Sequence, residues 1–320
     1  MRALETSLIL LLLIDVSKLK LKNVSILLII AAISSTLTAY YFQVIEPTER
    51  RVWPVNAIPF ASYITLVIGL GLTLMKYSNS KWVSVFLASG AAIGLGGLLL
   101  TESRGPLLAL ICTLGLLFLF SLIKGRINWK IILGCLVISL VIAVICRPII
   151  EERYNKTQQE IHSILNGNST TSIGLRLTVY KIGLDMIAEK PLLGFGKSDL
   201  SERWDKMKKN GEISWHVHQV LSWNFHNNFI EKGVASGLVG IATMFLWLGI
   251  PVVYGFRHYR EHLPLIATPP LLYFFACLTD TPATNGSSYV TYLIFVGLIL
   301  ASVKRCSDEK NSTYKEPSLA

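Results

Sequence analysis

The sequence predicts an all-α integral membrane protein with about nine transmembrane helices and one large polar loop. Three observations carry that prediction. The chain has 320 residues, is 52% hydrophobic and only 16% charged, and has a mean hydropathy of +0.52, so it cannot clothe a water-facing globular surface. Its apolar residues gather in runs close to the length of about 20 that a helix rising 1.5 Å per residue needs to cross roughly 30 Å of hydrocarbon. The runs do not alternate polar with apolar residues, which excludes a membrane barrel.

In chain order the runs are Leu4–Val16, Val24–Val44, Ala57–Met75, Trp82–Leu100, Pro106–Ile123, Ile131–Cys146, Gly233–Phe256, Leu263–Leu278 and Tyr289–Val303. The first is short and ends at Asp15. It lacks the basic start and small-residue cleavage site of a signal peptide, since Arg2 is offset by Glu5 and Lys18, Lys20 and Lys22 follow. It reads instead as the tail of a helix, and the expectation is a shortened chain that lacks one or more upstream helices. The tail from Ser307 to Ala320 is polar and reads as disordered.

Basic residues assign the sides. Lys18, Lys20, Lys22, Lys76, Lys81, Lys124, Arg126, Lys130, Arg257, Arg260, Lys304 and Arg305 fall on one face, against only Arg50, Arg51 and Arg104 in the opposite short loops. The positive-inside rule makes the first face cytoplasmic. The organisation that follows is membrane helices over 1–146, a large periplasmic loop over 147–232, membrane helices over 233–303 and a cytoplasmic tail over 304–320. The net charge of +10 is therefore a topology signal, and no nucleic-acid partner is expected. The five cysteines (Cys112, Cys135, Cys146, Cys277, Cys306) lie in or beside apolar runs without CxxC spacing and read as small buried hydrophobes rather than metal ligands or disulfides.

Chemistry concentrates in the polar loop and at one helix junction. In Glu102-Ser103-Arg104-Gly105-Pro106, Gly105 breaks the chain and Pro106 restarts a helix, so Arg104 is held at the junction. There it either snorkels as an anchor, pairs with Glu102, or binds a phosphate through its guanidinium fork. Within the loop, 148–165 reads as a polar helix, 166–172 as a flexible turn, and 174–190 as an amphipathic helix ended by Pro191. Leu177, Tyr180, Leu184 and Ile187 recur on that helix at a spacing that suits the outer leaflet or the bundle. Arg176 stands near its N-terminus, where the helix dipole favours an anion. The plainer reading of Arg176 is a solvated surface arginine.

His226 sits where the loop re-enters the membrane, between Phe225 and Asn227. Partial desolvation there favours the neutral imidazole, which can act as a general base toward a sugar hydroxyl. The plainer reading is an interfacial histidine that caps a helix. His216 and His218 form an HxH pair without a third ligand, so no metal is expected. Neither a Gly-rich phosphate loop nor paired metal-binding aspartates occur, and no cofactor is expected.

Ser103-Arg104-Gly105 opening a span, Arg176 followed by Met186-Ile187 and Pro191-Leu192-Leu193-Gly194-Phe195-Gly196, and His226-Asn227 before Gly237-Leu238-Val239-Gly240 together resemble the O-antigen ligase and polymerase superfamily of bacterial inner-membrane glycosyltransferases. The resemblance covers roughly residues 80–255. It implies an enzyme that takes a glycan from undecaprenyl diphosphate, with lipid A-core as acceptor in the ligases and another repeat unit in the polymerases. It implies that Arg104 and Arg176 bind the diphosphate and that His226 assists attack by the acceptor hydroxyl. Ligase is favoured over polymerase, and membrane lipid is a further partner. Direct displacement from a good leaving group would invert the anomeric carbon without a metal. The chain departs from the pattern in having Tyr180 where relatives often have Trp, and fewer spans than the usual dozen or so. A transporter or flippase fits less well, because charges gather at one edge instead of along a path inside the spans.

Overall fold

The computed structural model describes residues 20–50, 53, 56–78, 80–124, 144, 147–196 and 198–313. Among them the chain is helical throughout, and it divides into a membrane bundle and a smaller cap.

The bundle is built on α2 (Ala57–Leu74), whose residues 61–71 are almost all buried. Asn56 starts this helix by accepting a hydrogen bond from Ile58 N at 3.0 Å, which satisfies one of the orphan donors of the first turn. Around α2 stand α1 (Leu21–Tyr40, prolonged by a π turn over Tyr41–Ile45), α3 (Lys81–Leu100) and α4 (Arg104–Ile123). Small residues let α1 and α3 approach closely. A Cβ on Gly97 would lie 2.6 Å from Thr36 Oγ1 and 2.9 Å from Thr36 Cα. Thr36 Oγ1 donates across the same seam to Ile93 O at 2.9 Å. In lipid, where apolar burial does not drive helices together, close backbone packing and such bonds supply the attraction.

The cap consists of α5 (Arg147–Leu165), α6 (Ser172–Glu189), α7 (Leu200–Lys209) and α8 (Trp215–Trp223). Val179, Met186, Trp204, Val217, Leu221, Phe225 and Val234 form its core. Its packing onto the bundle runs through α9 (Asn228–His258), whose first turns belong to that core and whose remainder is a span. Gly237, at φ 59° and ψ −150°, breaks α9 between the two parts. The chain closes with α10 (Leu263–Cys277) and α11 (Gly286–Thr313).

Six helices are long and apolar enough to cross a membrane among the described residues: α1, α2, α3, α4, α9 and α11. The difference from nine has identifiable causes. The runs Leu4–Val16 and Ile131–Cys146 lie outside the described residues apart from Val144. The run Leu263–Leu278 forms α10, 15 residues long and buried along most of its length against α2, α4, α9 and α11. It has only 15 residues, yet it starts just after His262 at the Lys310–Glu261 end and leads to Asp280 at the cap end, so it joins the two ends of the bundle. The span expected over Gly233–Phe256 instead begins at Asn228 and is broken at Gly237.

On the amphipathic α6 the four periodic positions divide between two surroundings. Gly174, Val179, Gly183 and Met186 are buried, Tyr180 and Ile187 are half-buried, and Leu177 and Leu184 are exposed. Gly183 sets this rotation, because α6 presses there on α9: a Cβ would meet Ile230 Cγ2 at 2.3 Å.

The two ends of the bundle are chemically distinct. At one end Lys20 pairs with Glu309, Lys310 with Glu261, and Tyr77 donates to Glu261 O while its ring stacks on His262 at 4.9 Å. The other end carries the cap. Because the α1–α3 seam has no room for a side chain at residue 97, Gly97→Leu should cost about 1–3 kcal/mol. Thermal unfolding in detergent checks this, and a bare methyl at Gly97→Ala should be partly relieved by Thr36→Ala.

Candidate active site

The three residues singled out in the sequence lie at the cap end, on α4, on α6 and immediately before α9. Arg104 is the first residue of α4, after a turn in which Glu102 adopts φ 54°. A non-glycine residue in that region is strained and persists only when its surroundings over-determine it. Here Gln43 Nε2 donates to Glu102 Oε1 at 3.1 Å, and Arg50 Nη2 donates to Ser103 Oγ at 2.9 Å. Arg104 pairs with Glu160 of α5, through Nη2 at 3.1 Å, and not with Glu102.

Glu160 spans two elements. Its Oε1 accepts from Arg104 and its Oε2 accepts from Ile173 N in the first turn of α6, at 3.1 Å. The anion at the α6 N-terminus is therefore a side chain of the protein, with Thr171 Oγ1 capping Gly174 N beside it. Arg176 stands one turn further along α6 and is half-buried, close enough to oppose the rise in the Tyr180 pKa. Burial is the main cause of that rise, and the Asp280 carboxylate adds to it.

Tyr180 ties α6 to His226. Its hydroxyl donates to His226 O at 2.7 Å and lies 3.3 Å from Leu278 O. His226 has φ 50°, the second strained non-glycine residue among those described. The strain is held on both sides, because His226 N donates to Asn224 Oδ1 at 2.8 Å while its carbonyl takes the Tyr180 proton. An indole N–H in place of the phenol would also be a donor, which makes Tyr and Trp chemically comparable at position 180.

The imidazole faces a carboxylate that the sequence reading missed. His226 Nδ1 is 3.4 Å from Asp280 Oδ1, with the two side chains 27% and 20% exposed. An ionised carboxylate only accepts, so it favours the tautomer with the proton on Nδ1 and the lone pair on Nε2. The link 278–283 that carries Asp280 is fastened beside His226 by the two residues that follow it. Asn227 Nδ2 donates to Leu278 O at 3.1 Å, and Asn228 Oδ1 accepts from Ala283 N at 2.9 Å. Asn227 Oδ1 meanwhile caps α9 by accepting from Phe229 N and Ile230 N. Gly105 closes the circle: a Cβ there would lie 2.6 Å from the hydroxyl of Thr279, the neighbour of Asp280.

The other histidines stand apart from this cluster. His218 pairs with Asp205 at 2.8 Å and joins α8 to α7, while His216 is exposed beside Trp215. Among the described residues no group of three or more His, Cys, Asp or Glu could hold a metal ion.

This arrangement defines a multi-pass helical membrane protein that carries Arg104, Arg176 and the His226–Asp280 pair at one end of the bundle as a candidate site. Residues 89–245 match the family model described as O-antigen ligase. The chain is 28% identical over 241 residues to a protein named O-antigen ligase from Escherichia coli (strain K12), covering 73% of this chain and 57% of that protein. It is 30% identical over 215 residues to an uncharacterized protein of Haemophilus influenzae, covering 64% of this chain and 51% of the relative. These matches make the chain similar to the O-antigen ligase family across its central part. The chain spans little more than half the length of these curated relatives. The family match includes Arg104, Glu160, Arg176, Tyr180 and His226, while Asp280 lies beyond it.

Removing the Tyr180 hydroxyl should loosen the turn at His226. Tyr180→Phe is expected to cost about 1 kcal/mol, the ordinary worth of one hydrogen bond. Hydrogen exchange at residues 224–228 should quicken in the variant, and unchanged exchange would show that other contacts hold the turn.

Proposed function

We propose that this chain is an O-antigen ligase that transfers a glycan from undecaprenyl diphosphate to lipid A-core oligosaccharide at the periplasmic face of the bacterial inner membrane. The observation that carries the reading is the pairing of His226 with Asp280 on the same end of the bundle as Arg104 and Arg176, in a chain whose central part matches this family's model. Basic short-loop residues gathered at the opposite end support a periplasmic site by the positive-inside rule.

In this reading Arg104 and Arg176 bind the lipid diphosphate. Arg104 spends one N–H on Glu160, and a guanidinium has five, so donors remain for a phosphate. Negative charge develops on the leaving diphosphate as the glycosidic bond breaks, and arginines already in position stabilise it without reorganising. His226 Nε2 takes the proton of the acceptor hydroxyl as its oxygen attacks the anomeric carbon. Asp280 holds the ring in the required tautomer and stabilises the imidazolium that forms, a positioning role. Attack opposite the leaving group inverts the anomeric centre, and no metal takes part in these steps.

Complementation of a ligase-null strain tests the proposal. The wild-type chain should restore the capped lipopolysaccharide ladder. His226→Ala should lose on the order of a hundredfold or more, the usual worth of a general base. Arg104→Ala and Arg176→Ala should fail similarly at equal expression. Unligated lipid-linked polymer accumulating with the wild-type chain would contradict the ligase reading, and rescue of a polymerase-null strain would then identify joining of repeat units as the activity. A product linkage with retained anomeric configuration would contradict direct displacement.

A further inference from the structure

The turn Pro191–Gly196, between α6 and α7, is joined to the break in α9 by three backbone hydrogen bonds. Phe195 N donates to Val234 O at 2.9 Å, Gly196 N to Ala235 O at 3.0 Å, and Leu238 N to Pro191 O at 2.7 Å. These bonds take up carbonyls and an amide that the helix break frees, so the turn completes the backbone pairing of α9. There is no space between the two segments. A Cβ at Gly237 would lie 2.4 Å from the Leu192 carbonyl carbon, and one at Gly194 (φ 66°) would lie 2.5 Å from Val234 O.

Fixing the backbone at this level leaves the two leucine side chains outside. Leu192 is 68% exposed and Leu193 75%. They sit beside the point where α9 starts to present Leu238, Val239, Leu246 and Ile250 outward as a span, with Leu238 itself bonded to the turn. Cations flank the same turn. Lys190 Nζ lies 4.6 Å and the Arg203 guanidinium 4.5 Å from the centre of the Phe195 ring, and Arg203 also pairs with Glu189. Exposed leucines continuous with a lipid-facing helix, beside an aromatic ring and two long cationic side chains, match the order of acyl chains, interface and headgroups.

We propose that Pro191–Gly196 is a bilayer-embedded turn, with Leu192 and Leu193 among the acyl chains and Lys190 and Arg203 at the headgroups. The partner is the bilayer itself. The turn thereby fixes the membrane depth of the α6 C-terminus, and through α6 the level of Arg176 and Tyr180. The inference stands independently of the proposed activity.

Nitroxide labels test it. With the native cysteines replaced by alanine, Leu192→Cys and Leu193→Cys are labelled separately in phosphatidylcholine/phosphatidylglycerol nanodiscs. Leu246→Cys serves as a reference in the span, and Lys208→Cys as a reference on the polar surface of α7. Both side chains are exposed, so their replacement disturbs no core packing, and size-exclusion profiles confirm the fold of each variant. The expected result is relaxation dominated by oxygen, with an oxygen-to-nickel-chelate ratio several-fold above that at Lys208 and similar to that at Leu246. Dominance of the nickel chelate at either leucine overturns the proposal. Protection from both reagents overturns it too, since protein would then cover the turn.

Discussion

The bond from the Tyr180 hydroxyl to the His226 carbonyl is the contact on which the site depends. A histidine at φ 50° is unfavourable and needs its backbone held from more than one side. Asn224 holds the amide, Tyr180 holds the carbonyl, and Asn227 then starts α9 directly afterwards. The strained residue therefore sits at the joint between cap and bundle, with its ring directed to Asp280. A second strained residue, Glu102, prepares the opposite wall by aiming Arg104. Strain at both walls is consistent with geometry maintained for binding instead of for local stability.

The membrane imposes the larger pattern. A polar site can stand at the end of a bundle only if every backbone group around it is satisfied. Glu160 does this for the first turn of α6 while pairing with Arg104, and the 191–196 turn does it for the broken α9. The short α10, buried among the spans and containing Pro264, Pro269 and Pro270, leads from the His262 end of the bundle to Thr279 and Asp280 at the cap end. Charge segregation is the complementary feature, with Lys–Glu pairs at the far end and the arginines near the cap.

Much of this was legible in the sequence. Composition and run length fixed the helical membrane class, and Gly105-Pro106 located the junction that holds Arg104. Asn227 and His226 stood out because a polar cluster met the start of an apolar run. Less legible was anything decided between distant segments. Asp280 lies 54 residues from His226, and only the short polar link between the last two apolar runs hinted at it. Glu160 looked like one charge among many on a polar helix. Leu177 and Leu184 satisfy helical periodicity but give no sign that the close contact at Gly183 leaves them outward while Tyr180 and Ile187 are half-buried. A 15-residue apolar run also gives no local sign of being enclosed by its neighbours.

The central claim is that Arg104 and Arg176 form one diphosphate site. Native mass spectrometry of the purified protein in nanodiscs tests it most directly, with a polyprenyl diphosphate and the monophosphate of the same chain length as competing ligands. The account predicts preferential retention of the diphosphate. It also predicts at least about a tenfold loss in each of Arg104→Ala and Arg176→Ala, equivalent to about 1.4 kcal/mol. Equal retention of both lipids by wild type and both variants would contradict it.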